Sequence, residues 1–248
     1  MDSTSSTCGL CSKIHAMPAA PHLQTALQHG EIELKGQFML GSNYTFLVNV
    51  RHEGETVQAV YKPSKGEQPL WDFEVNTLAL REVAAYLVSE ALGFGLVPFT
   101  VLRAGPFGPG SLQQYIQYNP NHHYFNFTDE EKKLLQPVAL FDLLCNNADR
   151  KGSHVFFDAA HKLWAIDHGL CFHAEDKLRT VIWDFAAQPI PDSLLSPLSS
   201  TLGWRGLLER YLSPGEATSL QSRAEALLSS RVFPSPPADR RAFPYPPL

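Results

Sequence analysis

Two short acidic segments, separated by a pair of apolar runs, place the strongest constraint on how this chain folds. The first segment contains Asp149 and, five residues later, His154; the second contains Asp167, 18 residues after Asp149. The intervening runs 155–157 and 163–166 have the length and composition of two short strands. A hairpin of these strands would bring the two acids and the histidine together at one end. The spacing therefore predicts a site with two carboxylates and an imidazole.

Phosphoryl transfer by kinases requires such a set, because one acid orients the acceptor hydroxyl and others hold metal on the ATP phosphates. Asp149 is accordingly the predicted catalytic acid. Asp167 is the predicted ligand of Mg²⁺, a hard ion that prefers oxygen. Arg150 either stabilises the transferring phosphate or pairs with a carboxylate. His154 is either a predicted second metal ligand, whose imidazole favours Mn²⁺ or another transition metal over Mg²⁺, or a residue that only packs.

The segment from Asn147 to His154, together with Ile166-Asp167-His168-Gly169, resembles the catalytic centre of the protein-kinase-like superfamily. The similarity is greater to the branch that holds phosphatidylinositol 3-/4-kinases and HipA-type bacterial kinases, in which Asp-x-x-x-x-Asn precedes the metal-binding Asp. Residues 30–228, including the run 177–186, resemble a bacterial family described as phosphatidylinositol 3-/4-kinase-related. The resemblance implies a two-lobed kinase-like fold, with ATP and either Mg²⁺ or Mn²⁺ as cofactors.

The same resemblance gives roles to two residues of the first half of the chain. Lys62 ends a predicted strand, where kinases place a lysine that contacts the ATP phosphates. The alternative is an ordinary exposed lysine at a strand end. Glu82, on the following predicted helix, resembles the glutamate that pairs with this lysine and keeps it charged. Glu74 and Glu90 are rival candidates for that partner.

Two further segments are predicted to bind the nucleotide through their backbones. The loop 36–43 lies between the first two predicted strands, in the place of a phosphate-covering loop. Within this loop, the backbone N–H groups of Gly41, Ser42 and Asn43 are expected to contact phosphate oxygens. By analogy with the superfamily, adenine is expected to bind where the linker between the lobes begins. The residues expected there are Gln114, Tyr115 and Ile116.

Two histidines depart from the pattern of related kinases. His154 stands in place of the usual Asn, and His168 replaces the apolar residue common after the metal-binding Asp. We interpret His168 as a pH sensor or as a hydrogen-bond partner of Asp167. Neither change removes an acid, so a weak or unusual kinase is favoured over an inactive one. The alternatives are a nucleotide-binding pseudokinase that acts as a scaffold, and transfer of AMP on the same fold.

The order of predicted elements indicates an α+β chain of two lobes. Residues 23–118 are predicted to form an antiparallel β-rich N-lobe with one helix, and residues 119–231 a mostly helical C-lobe. One helix of the C-lobe is predicted to open at the capping box 128–131 and to end near Asn146. Residues 1–22 are predicted to be a flexible leader. The tail, residues 232–248, contains six prolines, which predicts an extended end that does not pack.

Charge and composition limit the partners. A net charge of −5 argues against nucleic acid. No apolar run reaches the length of a membrane span, and the first residues lack the pattern of a signal peptide, so a cytoplasmic protein is predicted. Cys8 and Cys11 have metal or redox spacing, although a flexible leader is the simpler interpretation. The expected acceptor is a hydroxyl of a protein or small molecule, in preference to a lipid, and autophosphorylation is one form of this reaction.

Overall fold

The computed structural model describes residues 21–38 and 44–248. The described residues form a mixed α+β structure, as predicted. The strands are β1 Glu31–Gln37, β2 Phe46–His52, β3 Glu55–Pro63, β4 Thr100–Gly105, β5 Gly108–Gln114, β6 Val155–Phe157 and β7 Leu163–Ala165. The helices are α1 Pro21–His29, α2 Leu78–Ala91, α3 Asp129–Lys133, α4 Gln136–Cys145, α5 Asp192–Leu195, α6 Arg205–Leu208 and α7 Pro214–Ser230.

The first five strands form one antiparallel sheet in the order β1-β2-β3-β5-β4. Side chains along a strand alternate between the two faces of the sheet. Tyr61 and Leu112, which are paired across β3 and β5, are buried on one face in a cluster with Leu27 of α1. The next residue, Lys62, is paired with Ser111 and therefore points to the opposite face. This alternation aims the Lys62 ammonium away from the apolar layer under α1.

Helix α2 connects β3 to β4 and joins the sheet to the helical part of the chain. Its buried residues Ala84, Ala85 and Val88 belong to the large apolar core that also contains residues of α4 and α7. The helix ends at Ala91, because Gly93 adopts a φ of +69° and its N–H donates to the Glu90 carbonyl. Glu82 lies on the buried side of this helix, 2% exposed.

The helix predicted from the capping box to Asn146 is two helices, α3 and α4. The capping box itself is confirmed, since the Glu131 N–H donates to Thr128 Oγ1 at 3.2 Å and Glu131 Oε2 accepts from the Thr128 N–H at 2.9 Å. The break arises because Pro137 stands in the first turn of α4. Proline has no N–H and is favoured at a helix start, so the chain begins a new helix there.

The tail packs against the helical part of the chain, so the prediction of an unpacked end is wrong. Phe233 is 2% exposed, and its ring lies 5.6 Å from that of Phe185. Ala242 and Pro244 are also buried. Prolines lose little backbone freedom on ordering, which favours packing of such a segment once apolar side chains anchor it. Among the described residues, no helix is long and apolar enough to cross a bilayer.

Candidate active site

Lys62 lies in a double ion pair. Its ammonium donates to Glu82 Oε1 and, at 2.9 Å, to Asp167 Oδ1. The second oxygen of Glu82 accepts the backbone N–H of His168 at 3.1 Å. Among the three candidate glutamates, Glu82 is therefore the one at Lys62. A strand, a helix and the segment after the β6–β7 hairpin meet at this point.

Lys62 and Asp167 both keep their charges in this ion pair. Burial lowers the pKa of Lys62, but the carboxylates of Asp167 and Glu82 more than offset this effect, and the pKa rises above its usual value. The Lys62 ammonium holds the pKa of Asp167 far below its usual range, against the opposing effect of burial. Lys62 and Asp167 are therefore both charged at neutral pH.

The predicted hairpin is confirmed and brings His154 to Asp167. Strands β6 and β7 pair antiparallel, and the Ile166 N–H donates to the His154 carbonyl at 3.0 Å. Asp167 then adopts a φ of +62°, a left-handed conformation that Asp tolerates better than most residues. The result is a distance of 3.2 Å between His154 Nε2 and Asp167 Oδ2.

The donor set fits a divalent cation in part. The Asp167 side chain is 49% exposed and ionised, as a metal ligand requires. Burial lowers the pKa of His154 to about 4, so its imidazole is neutral at pH 7. Its Nδ1 accepts the Lys151 N–H at 3.4 Å, which leaves the ring proton on Nε2, facing Asp167. Only the other tautomer has an Nε2 lone pair for a metal. The described residues contain no group of three or more candidate ligands.

Asp149 lies in a loop, residues 147–154, which we call the Asp149 loop. Its N–H donates to Asn147 Oδ1 at 2.9 Å, and its carboxylate is 3.5 Å from the Lys151 ammonium. Burial raises the pKa of Asp149 to about 6, and the negative charge of Asp167 adds to the increase. The partial charge compensation by Lys151 does not remove this shift. Asp149 is thus a carboxylate whose proton affinity is raised toward neutrality.

Arg150 is an ion-pair residue. It is fully buried, and its Nε and Nη2 atoms donate to the carboxylate of Asp142. Its Nη1 donates to the carbonyls of His154 and Ile166 at 3.2 and 2.8 Å. The remaining N–H, on Nη2, faces His168 Nε2 at 2.7 Å. Because all five N–H groups are engaged, Arg150 has no donor for a phosphate, and the catalytic interpretation of this residue is wrong.

His168 joins this network without bonding to Asp167. Its Nε2 accepts from Arg150, so its ring proton is on Nδ1, and its backbone N–H donates to Glu82. Burial and the neighbouring Arg150 charge hold the pKa of His168 well below its usual value. The ring is therefore neutral across the physiological pH range, and the pH-sensor interpretation is wrong.

The segments predicted to bind the nucleotide lie only partly within the described residues. Gly41, Ser42 and Asn43 lie outside the described residues. In the predicted linker, the Gln114 N–H donates to the Phe99 carbonyl at 2.8 Å and the Tyr115 N–H donates to the Gln58 carbonyl at 3.1 Å. Both groups are used within the sheet, which leaves Ile116 as the first backbone N–H of this linker without an acceptor among the described residues.

A cavity of about 430 Å³ lies apart from these residues. Its lining includes Leu23, Glu90, Gln114 and Trp164, but not Lys62 or the acids of the site. Gln114 and Glu90 therefore both border this cavity. The ion pairs of Lys62, not this cavity, mark the candidate site.

The roles of two residues of the site were not predicted from the sequence. Asp142 is fully buried in α4 and accepts from Arg150, and Asn147 holds the start of the Asp149 loop through both ends of its amide. A single acid within the apolar run 138–145 was a usable signal, because buried acids require a partner. Asn147 stands two residues before Asp149, the spacing of an Asx turn.

No family model matches the chain. The chain is 35% identical over 277 aligned positions to Protein Rv2133c of Mycobacterium tuberculosis, and the alignment covers 96% of this chain and 99% of that protein. The chain belongs to the Rv2133c family. This relationship extends over the whole region of the ion pairs and the Asp149 loop.

The fold of this Rv2133c-family chain is kinase-like. The crystal structure of a Helicobacter pylori proinflammatory kinase, CtkA, matches it with a TM-score of 0.54, and the match covers 83% of this chain and 93% of that chain. The two sequences are 13% identical, so the likeness concerns the fold. Membership of the phosphatidylinositol 3-/4-kinase branch stays a prediction.

Proposed function

We propose that this chain is a kinase that uses ATP and a divalent metal ion to phosphorylate a hydroxyl group. In this proposal the fold has two lobes, residues 23–118 and 119–231, with the nucleotide between them. The observation that carries the proposal is the double ion pair of Lys62 with Glu82 and Asp167. It joins a sheet strand, a helix and the acid proposed to bind metal, as phosphoryl transfer requires.

The residues of the site have separate tasks in the proposed reaction. The acceptor oxygen forms a bond to the γ-phosphorus while the bond to the β–γ bridging oxygen breaks, and ADP leaves. The acceptor proton passes to Asp149, whose raised pKa suits this transfer. Lys62 has three N–H donors, of which two point to Glu82 and Asp167, so one is available to a phosphate oxygen.

A divalent ion, when bound, would neutralise charge on the phosphates. Asp167 would hold it through its exposed carboxylate. His154 would add a ligand only in the tautomer that carries its proton on Nδ1, and this tautomer loses the hydrogen bond from Lys151. Where His154 does adopt that tautomer, its imidazole would favour Mn²⁺ over Mg²⁺.

The proposed acceptor is a hydroxyl of a protein or a small molecule. A phosphoinositide headgroup carries several negative charges and requires free cations beside the catalytic acid. Part of the positive charge near Asp149 is already used within the chain, because Lys151 faces Asp149 itself at 3.5 Å and Arg179 Nε donates to the Ala148 carbonyl at 2.6 Å. We propose that the chain is a member of the phosphatidylinositol 3-/4-kinase and HipA branch with an acceptor other than a lipid.

The test is transfer of label from γ-labelled ATP by the purified protein, with Mg²⁺ and with Mn²⁺ and with intact mass read in parallel. We expect label in the wild type and none in Asp167→Ala. The matched control is Asp129→Asn, which changes an exposed acid outside the site. Equal labelling by Asp167→Ala and by the control would refute the proposal. An added mass of AMP instead of phosphate would redirect it to nucleotidyl transfer.

One observation favours a pseudokinase as the second candidate. His154, with its proton on Nε2, faces Asp167 Oδ2 at 3.2 Å, the oxygen that Lys62 does not contact, so neither oxygen of this carboxylate is left without a partner. This candidate predicts that ATP raises the melting temperature while no label is transferred with either metal. Replacing His154 with Asn would then create activity, whereas the kinase proposal expects activity before the replacement.

Glu82 offers a direct test of the ion pair. Glu82→Gln removes the charge that holds Lys62, and we expect phosphate transfer to fall by roughly 10- to 100-fold, since one charge-assisted contact is worth about 1.5–3 kcal/mol. Glu90→Gln is the control on the same helix, because Glu90 lines the separate cavity. Comparable losses in the two variants, measured as initial rates at saturating ATP, would contradict a special role for Glu82.

The pH dependence follows from the raised pKa of Asp149. Its ionised form accepts the proton, so activity should fall as pH drops below about 6, by about tenfold per pH unit. Lys151 lowers this pKa, and Lys151→Met should therefore move the acidic limb to higher pH. The measurement is kcat/KM between pH 5 and 8, and unfolding of the protein is monitored separately at each pH. A flat profile over this range would contradict Asp149 as the base.

A further inference from the structure

The end of the chain contacts the Asp149 loop directly. The carbonyl of Pro247 accepts the N–H of Gly152 at 2.8 Å. Gly152 is buried, and a Cβ at this position would lie 2.7 Å from the ring of Phe125. Because Gly152 is buried, its N–H requires a partner, since buried backbone donors are almost always paired. Among the described residues, Pro247 supplies the acceptor for this donor.

The tail also reaches the loop through an intermediate segment, residues 179–181. The Arg150 N–H donates to the Arg179 carbonyl at 3.0 Å, and the Val181 N–H donates to the Arg150 carbonyl at 3.1 Å. On the other side, the Ala242 carbonyl accepts the Thr180 N–H at 3.1 Å. The indole N–H of Trp183 donates to the same carbonyl at 3.3 Å. Residues 179–181 are thus held between the Asp149 loop and the tail.

The Asp149 loop depends on such contacts because it contains little regular structure. Between the end of α4 and β6, the loop has one turn of 3-10 helix, Gly152–His154. Asp149 stands three residues before Gly152, so the backbone at Gly152 sets the course of the segment that presents the carboxylate. An acid must be held within about 0.5 Å of its productive place to act efficiently.

We propose that tail residues 242–247 are a positioning segment of the active site. The carbonyls of Pro247 and Ala242 fix the backbone at Gly152 and Thr180, and through them the orientation of Asp149. Prolines suit this task, since they have no N–H of their own and present carbonyls from a stiff backbone. The catalytic part of this inference rests on the proposed kinase function, whereas the backbone contact at Gly152 does not.

Two truncations test the inference in the otherwise full chain. A stop after Pro246 removes the Pro247 acceptor together with Leu248. The matched control is a stop after Pro247, which removes Leu248 alone and leaves a terminal carboxylate as acceptor. The measurements are hydrogen exchange of the Gly152 amide, melting temperature, and kcat and KM for ATP in label transfer.

For the shorter chain we expect at least tenfold faster exchange at Gly152 and at least tenfold lower kcat. KM for ATP and the melting temperature should stay near those of the control. Equal exchange in the two truncated chains would overturn the inference, as would faster exchange with unchanged kcat. A loss of kcat that only accompanies a lower melting temperature would also overturn it. If the full chain transfers no phosphate, the proposed function fails, and Gly152 exchange alone decides the tail contact.

Discussion

Asp149→Asn is expected to raise the melting temperature at pH 7.5 and to remove phosphate transfer. A carboxyl whose pKa is raised in the folded state, here from 3.8 to about 6, binds its proton more tightly folded than unfolded. The stabilising contribution of that proton is present at low pH and is lost as the pH rises through this range. At pH 7.5 the ionised carboxylate therefore destabilises the fold, and the neutral amide removes the penalty.

The rise in melting temperature and the loss of phosphate transfer can both be bounded. A shift of about two pKa units corresponds to at most about 2–3 kcal/mol, and the 28% exposure of the Asp149 side chain reduces this to roughly 1–2 kcal/mol. The melting temperature should then rise by about 2–6 °C. Loss of the proton acceptor should lower kcat by roughly 10²- to 10⁴-fold.

The measurement is thermal unfolding at pH 7.5 and again at pH 4.5, with label transfer at pH 7.5. At pH 4.5 the wild-type carboxyl is protonated, so the difference in melting temperature should shrink. Asp129→Asn, an exposed acid, should change neither quantity. A lower melting temperature for Asp149→Asn at pH 7.5 would show that Asp149 holds the structure together, which contradicts its assignment as a destabilised catalytic acid.

The sequence predicted the backbone elements around the candidate site because their signals are local, whereas the roles of Lys62 and Glu82 were implied by the family resemblance. Alternation around Lys62, helical spacing around Glu82 and the two apolar runs before Asp167 each fix a backbone element over a few residues. Once the hairpin forms, the number of residues between His154 and Asp167 decides that their side chains meet. The ion pair itself follows from the position of one helix against one strand.

Residues that act through distant contacts were not predictable in this way. The tail has a composition typical of disordered ends, yet carbonyls of Ala242 and Pro247 accept from N–H groups far away in the sequence. Propensity describes a segment by itself, whereas tertiary contacts decide whether it packs. Arg150 shows the same limit, because an arginine beside a catalytic acid has the same sequence pattern whether it faces phosphate or a buried carboxylate.

Arg150→Met is expected to cause the largest loss of stability. Asp142 and Arg150 are both fully buried, and the carboxylate would lose the Nε and Nη2 hydrogen bonds, each about 3.0 Å long. Breaking one partner of a buried ion pair typically costs about 3–5 kcal/mol, because the remaining charge stays desolvated and unpaired. The carbonyls of His154 and Ile166 would lose their Arg150 donor as well.

A matched variant separates the effect of burying an ion pair from the effect of removing its positive charge. Arg51→Met makes the same replacement in the exposed pair of Arg51 with Glu33, whose side chains are 60% and 51% accessible. We expect this control to change the free energy of unfolding by at most about 1 kcal/mol, as for other surface pairs. Both variants are compared by urea unfolding at one pH. A difference of less than about 1 kcal/mol between them would contradict the role of the buried pair.

The double variant Asp142→Leu with Arg150→Met provides the final distinction. Removing both charges abolishes the unpaired carboxylate, so the double variant should be more stable than Arg150→Met alone by about 1–3 kcal/mol. Recovery should be incomplete, because the Asn147 amide and the His168 ring lose their partners in this network. Phosphate transfer should stay low even where stability recovers, since Asn147 and the carbonyl of His154 belong to the Asp149 loop. Full recovery of both properties would mean that the ion pair stabilises the fold without setting the geometry of the site.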